Sequence, residues 1–157
     1  MKVAVFPGSF DPITVGHVDI INRMSPLFDK IIIGIGNNTA KKYLFELAQR
    51  MEWMNEIFAG NDSITVAPYD ELTIDFCHKH QEQYIIRGLR NTTDFNYEMS
   101  IAQLNKSMNE NIETIFTFCN PKYGHVSSTI VREIIKYKGD VSAFVPAVIS
   151  ESIKASY

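Results

Sequence analysis

The feature that most constrains this chain is a rhythm. Short, almost wholly apolar runs alternate with longer stretches of helical periodicity. The runs are Val3–Phe6, Ile31–Ile35, Ile64–Ala67, Tyr84–Ile86 and Thr114–Phe118. A strand with one wet face alternates apolar and polar side chains. A strand that is apolar throughout has both faces covered, the situation of a parallel sheet between helical layers. The helical stretches are His17–Phe28, Phe45–Phe58, Ile74–His80 and Phe95–Met108, with Thr129–Tyr137 and Ala147–Ala155 after the last strand. Within the second, Leu47, Met51, Met54 and Phe58 recur at helical spacing. Right-handed crossovers then predict an α/β fold: a doubly wound, Rossmann-like five-stranded parallel sheet with helices on both faces. No repeat, low-complexity tract or linker interrupts the pattern, and 157 residues suit a single domain over 1–157.

In such a sheet, ligands collect beyond the carboxyl ends of the strands, where the strand order reverses. The first strand is followed by Pro7-Gly8-Ser9-Phe10-Asp11-Pro12 and then Thr14-Val15-Gly16-His17. The second is followed by Asn37–Lys42, the fourth by Arg87-Gly88-Leu89-Arg90, and the fifth by Asn120–Thr129. Pro and Gly in these loops are turn chemistry. A histidine at a helix start has no such backbone reason and points to function.

The overall charge sharpens this. With 15 Lys+Arg against 18 Asp+Glu the net charge is −3, without a basic tract, which argues against a generic nucleic-acid or membrane-surface binder. Yet three strand ends carry cations and a fourth leads to His17. Taken singly, each has an ordinary explanation. Lys41-Lys42 is a solvated loop, Arg87 and Arg90 make structural ion pairs, and Ser127-Ser128-Thr129 caps a helix. Gathered on one sheet edge they describe an anion site, because the N–H groups and hydroxyls of a helix start also bind phosphate.

Other site classes are disfavoured. The chain has no GxxxxGK[ST] phosphate loop, and Gly34-x-Gly36 lacks the third glycine of a dinucleotide fingerprint. Cys77-His78-Lys79-His80 places Cys77 and His80 on one helical face but turns His78 away, a poor zinc set. The two cysteines form no CxxC pair, the first residues run directly into a strand, and no apolar stretch approaches the ~18 residues of a membrane span. A cytoplasmic protein is expected.

Thr14-Val15-Gly16-His17 together with Ser127-Ser128-Thr129-Ile130-Val131-Arg132 resembles the TxGH and ISSTxxR signatures of the nucleotidylyltransferase superfamily, with Val126 where the second usually begins with Ile. PGSFDPITVGH, Lys41-Lys42, IIRGLRNTTDFNYE over 85–98, and Gly139-Asp140-Val141 with Pro146 are similar, in order, to the bacterial phosphopantetheine adenylyltransferase family.

That resemblance implies adenylyl transfer from ATP to 4′-phosphopantetheine, giving dephospho-coenzyme A and pyrophosphate, with Mg²⁺ whose protein ligands cannot be assigned. It places Ser9, Phe10, His17, Gly88, Leu89, Arg90, Glu98 and the stretch Tyr123, Gly124, His125, Val126, Ser127, Ser128, Thr129 at ATP. It places Ser9, Lys41, Thr73 and Arg87 at the acceptor, with His17 catalytic. A homohexamer and product-level inhibition by coenzyme A are also implied. Ser9 stands where Thr is usual, Val15 where a polar residue is common, Tyr43 where Pro is frequent, and Thr73 where apolar residues are common.

The chemistry suits these residues. A phosphate monoester has a second pKa of ~6 and is already a nucleophile near neutrality. It needs neutralisation, which Lys41 and Arg87 supply, and a donor to the α-phosphoryl oxygens, which His17 supplies. No covalent intermediate is needed. Two rivals remain: an adenylyltransferase of nicotinamide mononucleotide or glycerol 3-phosphate, and a nucleotide sensor without turnover. The Arg87/Arg90 loop and Asp94-x-x-Tyr97-Glu98 disfavour the first. Intact His17, Lys41 and Arg87 disfavour the second.

Overall fold

A computed structural model describes residues 1–157. Five parallel strands, β1 (Val3–Gly8), β2 (Lys30–Gly36), β3 (Ile64–Tyr69), β4 (Tyr84–Leu89) and β5 (Glu113–Phe118), form one sheet in the order β3-β2-β1-β4-β5. Six helices accompany them: α1 (Val15–Met24), α2 (Leu47–Ile57), α3 (Thr73–Lys79), α4 (Thr92–Met108), α5 (Ser128–Lys136) and α6 (Ala147–Ala155). This is the doubly wound α/β architecture that the apolar runs predict. No helix is long and apolar enough to cross a membrane.

The chain starts in the middle of the sheet and is wound outward in two directions, so the order reverses between β1 and β4. The larger core, with Phe6, Ile31, Ile33, Ile35, Trp53 and Met54, fills one side of the sheet. A smaller one, with Val5, Ile32, Phe76, Cys77 and Ile85, fills the other. Successive residues of β2 enter opposite cores, which explains an apolar run without alternation.

Most boundaries shift by one to three residues from the sequence reading, and three of the shifts bear on the site. β1 does not break at Pro7-Gly8 but continues through it, Pro7 lying opposite Gly34 of β2. On its other side β1 pairs with β4 only at Ala4–Tyr84 and Val5–Ile85. Pro7 has no N–H to give a ladder, so the sheet opens here toward its carboxyl edge. β4 runs three residues past Ile86, which makes Arg87 and Gly88 strand residues rather than loop residues. Finally, α1 begins at Val15, two residues before His17.

Candidate active site

Two clefts open at the point where the strand order reverses. The larger, about 650 Å³, is lined by Asn37, Lys41, Tyr43, Tyr69, Thr73 and neighbouring residues of α4. The smaller, about 310 Å³, is lined by Phe10, His17, Gly88, Arg90, Tyr123 and the Val126–Thr129 turn, among others. Pro7, Gly8, Ser9, Arg87 and Glu98 line both and form the wall between them.

His17 lines the smaller cleft and is held from two sides. It is the third residue of α1, and its ring closes a reciprocal cap with Thr14. The Thr14 N–H donates to His17 Nδ1 at 3.1 Å, and the His17 N–H donates to Thr14 Oγ1 at 3.4 Å. The expectation that this histidine has no structural task is therefore overturned. Its ring satisfies a helix-start donor, work usually given to Glu or Gln. The cap also sets the tautomer: with Nδ1 accepting, the neutral ring carries its proton on Nε2. Nε2 makes no hydrogen bond within the protein. The rings of Phe6 and Phe10 meet the imidazole edge-on, with centroids 6.4 and 5.2 Å away. Burial, reinforced by the charges of Arg87 and then Arg90, lowers the imidazole pKa to about 4. At neutral pH this residue is an uncharged, fixed donor.

Phe10 occupies the left-handed region at φ 46°, an uncommon place for a bulky residue. Its ring lies where a Cβ on Gly8 would be, 2.8 Å from Phe10 Cζ, so the glycine is required by the phenyl group. Gly88 makes room for packing of a different kind: a Cβ there would meet Ile20 Cδ1 of α1, which would have to shift.

The arginines are already engaged. Arg87 donates from Nε to Glu98 Oε2 at 2.7 Å, from Nη2 to Glu98 Oε1 at 2.5 Å, and from Nη1 to the Pro7 carbonyl at 2.6 Å. A guanidinium has five N–H groups, so two are left over. Arg90 pairs with Asp94 and is 3.5 Å from the Val126 carbonyl. Ser127 caps α5 by accepting the Ile130 N–H, and Ser128 Oγ donates to the Pro12 carbonyl at 2.7 Å. That bond joins the two signature segments across the cleft.

Not every residue singled out by the resemblance reaches a cleft. Leu89 is 1% exposed and its side chain lies in the core. Gly124 and His125 are off the lining; the His125 ring meets Phe144 edge-on instead. Thr73 lies on the larger cleft, 3.3 Å from the Tyr69 hydroxyl. Lys41 lies there too, on an exposed loop.

The sequence reading missed several polar residues that shape the site. Arg132 lines the smaller cleft and donates to the Asp11 carbonyl at 2.8 Å and to Thr129 Oγ1 at 3.2 Å. Its signal was its place in the second signature. Asp11 is buried and accepts the Leu44 and Phe45 N–H groups at 2.8 and 2.9 Å. Arg50 is fully buried beneath the same loops. An arginine one position from Met51, on an apolar helix face, was the available clue.

The donor set does not make a protein-held magnesium site. No group of three or more His, Cys, Asp or Glu side chains converges. Glu98, Asp94 and Asp11 are engaged by Arg87, Arg90 and backbone N–H groups.

Residues 5–134 match the cytidylyltransferase-like family. The chain is 44% identical over 154 residues to a phosphopantetheine adenylyltransferase of Limosilactobacillus reuteri, covering 98% of this chain and 89% of that protein. It is 49% identical over 146 residues to a phosphopantetheine adenylyltransferase of Flavobacterium psychrophilum, covering 93% and 96%. In fold it resembles the crystal structure of a protein described as a nicotinate-nucleotide adenylyltransferase from Vibrio parahaemolyticus, with TM-score 0.75 over 99% of this chain and 93% of that one, at 16% identity.

Proposed function

This chain belongs to the cytidylyltransferase-like family, and from that membership and its paired clefts we propose that it is a phosphopantetheine adenylyltransferase of coenzyme A synthesis. The observation that carries the reading is the shared wall. ATP takes the smaller cleft beside His17 and Arg90, phosphopantetheine takes the larger beside Lys41 and Thr73, and their reacting phosphates meet at Ser9 and Arg87.

The reaction is a direct displacement. An oxygen of the acceptor phosphate forms a bond to the α-phosphorus of ATP. The bond from that phosphorus to the α,β-bridging oxygen breaks, and pyrophosphate leaves with the electron pair. Two anions must approach one another, so the protein's contribution is positioning and charge stabilisation. Lys41 supplies a point charge across the larger cleft, and Arg87 supplies its two unspent N–H groups from the wall. His17 Nε2–H donates to the α-phosphoryl oxygens, whose bond strengthens as charge shifts in the transition state. The turn at Ser127–Thr129 offers N–H groups and hydroxyls to the remaining phosphates. No side chain acts as nucleophile. Magnesium would enter with ATP, where it would neutralise phosphate charge, and no cluster of three or more protein carboxylates or imidazoles is built to hold it alone.

Two features beyond the single chain belong to the same reading. Tyr97, Leu104, Met108 and Phe118 are large apolar side chains exposed on the α4 and β5 flank, which supports self-association; the family resemblance implies that the assembly is a hexamer. Coenzyme A carries the pantetheine arm and an adenine nucleotide in one molecule, so it fits both clefts and is the expected product-level inhibitor.

An assay of pyrophosphate release from ATP tests the function directly. Release that requires phosphopantetheine and fails with nicotinamide mononucleotide or glycerol 3-phosphate supports it. Turnover with either of those, or ATP binding without turnover, overturns it.

A further inference from the structure

Arg50 has no place in the reaction above, and it is the least expected side chain in the core. It lies within α2, 1% exposed, on the face that also buries Trp53 and Met54. Burying a guanidinium is costly unless its donors are satisfied. Here the acceptors come from separate segments. Nη1 donates to the Ser9 carbonyl at 2.7 Å and to the Gly36 carbonyl at 3.0 Å. Nη2 donates to Asn37 Oδ1 at 3.2 Å, and Nε donates to the Phe45 carbonyl at 3.0 Å. The Tyr43 ring covers the guanidinium with its centroid 4.1 Å away. No carboxylate is hydrogen-bonded to it; Asp11, whose charge it feels, spends both oxygens on the Leu44 and Phe45 N–H groups.

These acceptors have one thing in common. Ser9 lines both clefts, Gly36 and Asn37 begin the loop that carries Lys41, and Phe45 ends it. That loop is stiffened internally: the Asn38 N–H donates to the Tyr43 hydroxyl at 2.9 Å, and the Ala40 N–H donates to Asn38 Oδ1 at 2.8 Å. Lys41 itself makes no ion pair. A stiff loop around an unattached lysine is aimed by its two feet, and Arg50 holds both feet to the Ser9 segment.

We propose that Arg50 is a positioning residue for the acceptor side of the reaction: by clasping Ser9, Gly36, Asn37 and Phe45 it sets the Lys41 loop at the distance from the cleft wall that the acceptor phosphate requires. The identity of that acceptor rests on the function proposed above; the clasp does not.

The test uses Arg50→Lys, which keeps the charge but loses the planar fork, and Arg50→Met, which fills the space without a donor. Asn37→Ala removes a single clasp bond and leaves the guanidinium in place. One readout is trypsin cleavage after Lys41 and Lys42 in the native, ligand-free enzyme, mapped by mass spectrometry. The other is KM for each substrate. Losing clasp bonds should raise both the cleavage rate and the KM for phosphopantetheine roughly tenfold in Arg50→Lys, leave the KM for ATP within about twofold, and produce a smaller shift in the same direction in Asn37→Ala.

Several results would sink the idea. One is a folded Arg50→Lys with wild-type cleavage and KM values. Another is a variant that only lowers the melting temperature, or that raises both KM values equally. If neither Arg50 variant folds, Asn37→Ala decides, and unchanged loop cleavage in it refutes the clasp. If the wild-type enzyme fails to use phosphopantetheine, the functional reading falls while the cleavage comparison still judges the clasp.

Discussion

In the smaller cleft the polar side chains are held before any ligand arrives. His17 is locked by the Thr14 cap, Arg90 by Asp94, Arg132 by the Asp11 carbonyl, and Ser127 and Ser128 by bonds to Ile130 and Pro12. In the larger cleft Lys41 stands on an exposed loop without an ion pair, and the hydroxyls of Tyr69 and Thr73 have only each other. If ATP and the acceptor take the two clefts as proposed, the two halves of one reaction are built differently. The half that stabilises the transition state is rigid, because a donor that must reorganise loses much of its value there. The half that admits the acceptor has a stiffened loop, and only the unpaired Lys41 side chain on it is adjustable. The wall between them, Arg87 with Glu98, belongs to both.

The comparison can be broken most directly at His17. His17→Ala should lower kcat by about 10²–10³, as removal of one preorganised donor does, with little change in the KM for ATP. Near-normal turnover would mean that the ring serves only the cap. Such a variant also loses a cap worth about 1 kcal/mol, so thermal unfolding should be recorded beside the kinetics.

Acid tests the same rigidity through stability. The folded pKa of His17, about 4, lies below its ordinary value of 6.5. Above 6.5 the ring is neutral in both states and the shift has no effect. Between 6.5 and 4 the unfolded chain takes up a proton that the folded chain refuses, so stability falls as the pH falls. The full penalty, on the order of 3 kcal/mol, is reached once the pH is below 4. Urea unfolding at pH 7.0 and 5.0 should show the loss, and His17→Gln should remove most of the difference between the two. A wild-type enzyme as stable at pH 5.0 as at 7.0 contradicts a desolvated imidazole.

The wall predicts an asymmetry between its neighbours. Arg90 lines only the smaller cleft, so Arg90→Ala should raise the KM for ATP by roughly one to two decades and spare phosphopantetheine. Arg87 lines both, so Arg87→Ala should raise the KM for phosphopantetheine by a similar factor while also affecting ATP. It leaves the buried Glu98 carboxylate unpaired and should lower stability by about 3–5 kcal/mol, a loss that denaturant titration resolves. If the two variants behaved alike on both substrates, the clefts would not be separate subsites.

The smallest effect is expected at the adjustable end. Thr73→Val removes one hydroxyl contact to Tyr69 and should change the KM for phosphopantetheine only a few-fold, because a neutral hydrogen bond is worth about 1 kcal/mol. A change of 100-fold would make Thr73 a principal determinant of acceptor choice rather than part of a pliant wall.

Much of this molecule was legible in the order of its residues. Apolar runs without alternation identified parallel strands, because strands covered on both faces have no polar side to show. The cations at strand ends marked the edge where the two clefts open, and the two signatures marked the family. What the sequence could not yield was adjacency. The order β3-β2-β1-β4-β5 brings the first and fourth strands side by side, and with them Ser9, Arg87 and Glu98. That order is decided by which faces the helices cover, a property of the whole chain.

The role of His17 was only half visible for a related reason. Spacing disclosed a histidine near a helix start, but only the backbone trace puts it at the third position, where its Nδ1 meets the Thr14 N–H. Arg50 was visible only as an arginine on an apolar helix face, and its role was not visible. Its function depends on carbonyl oxygens, which every residue possesses, and which become a binding site for a guanidinium only when folding gathers Ser9, Gly36 and Phe45 around it. The side chains present, their charges and their periodicity were determined by the sequence alone. Which of them share a wall, and which backbone atoms they hold, was decided by tertiary structure, because hydrogen bonds act over about 3 Å while the partners here lie up to 121 residues apart.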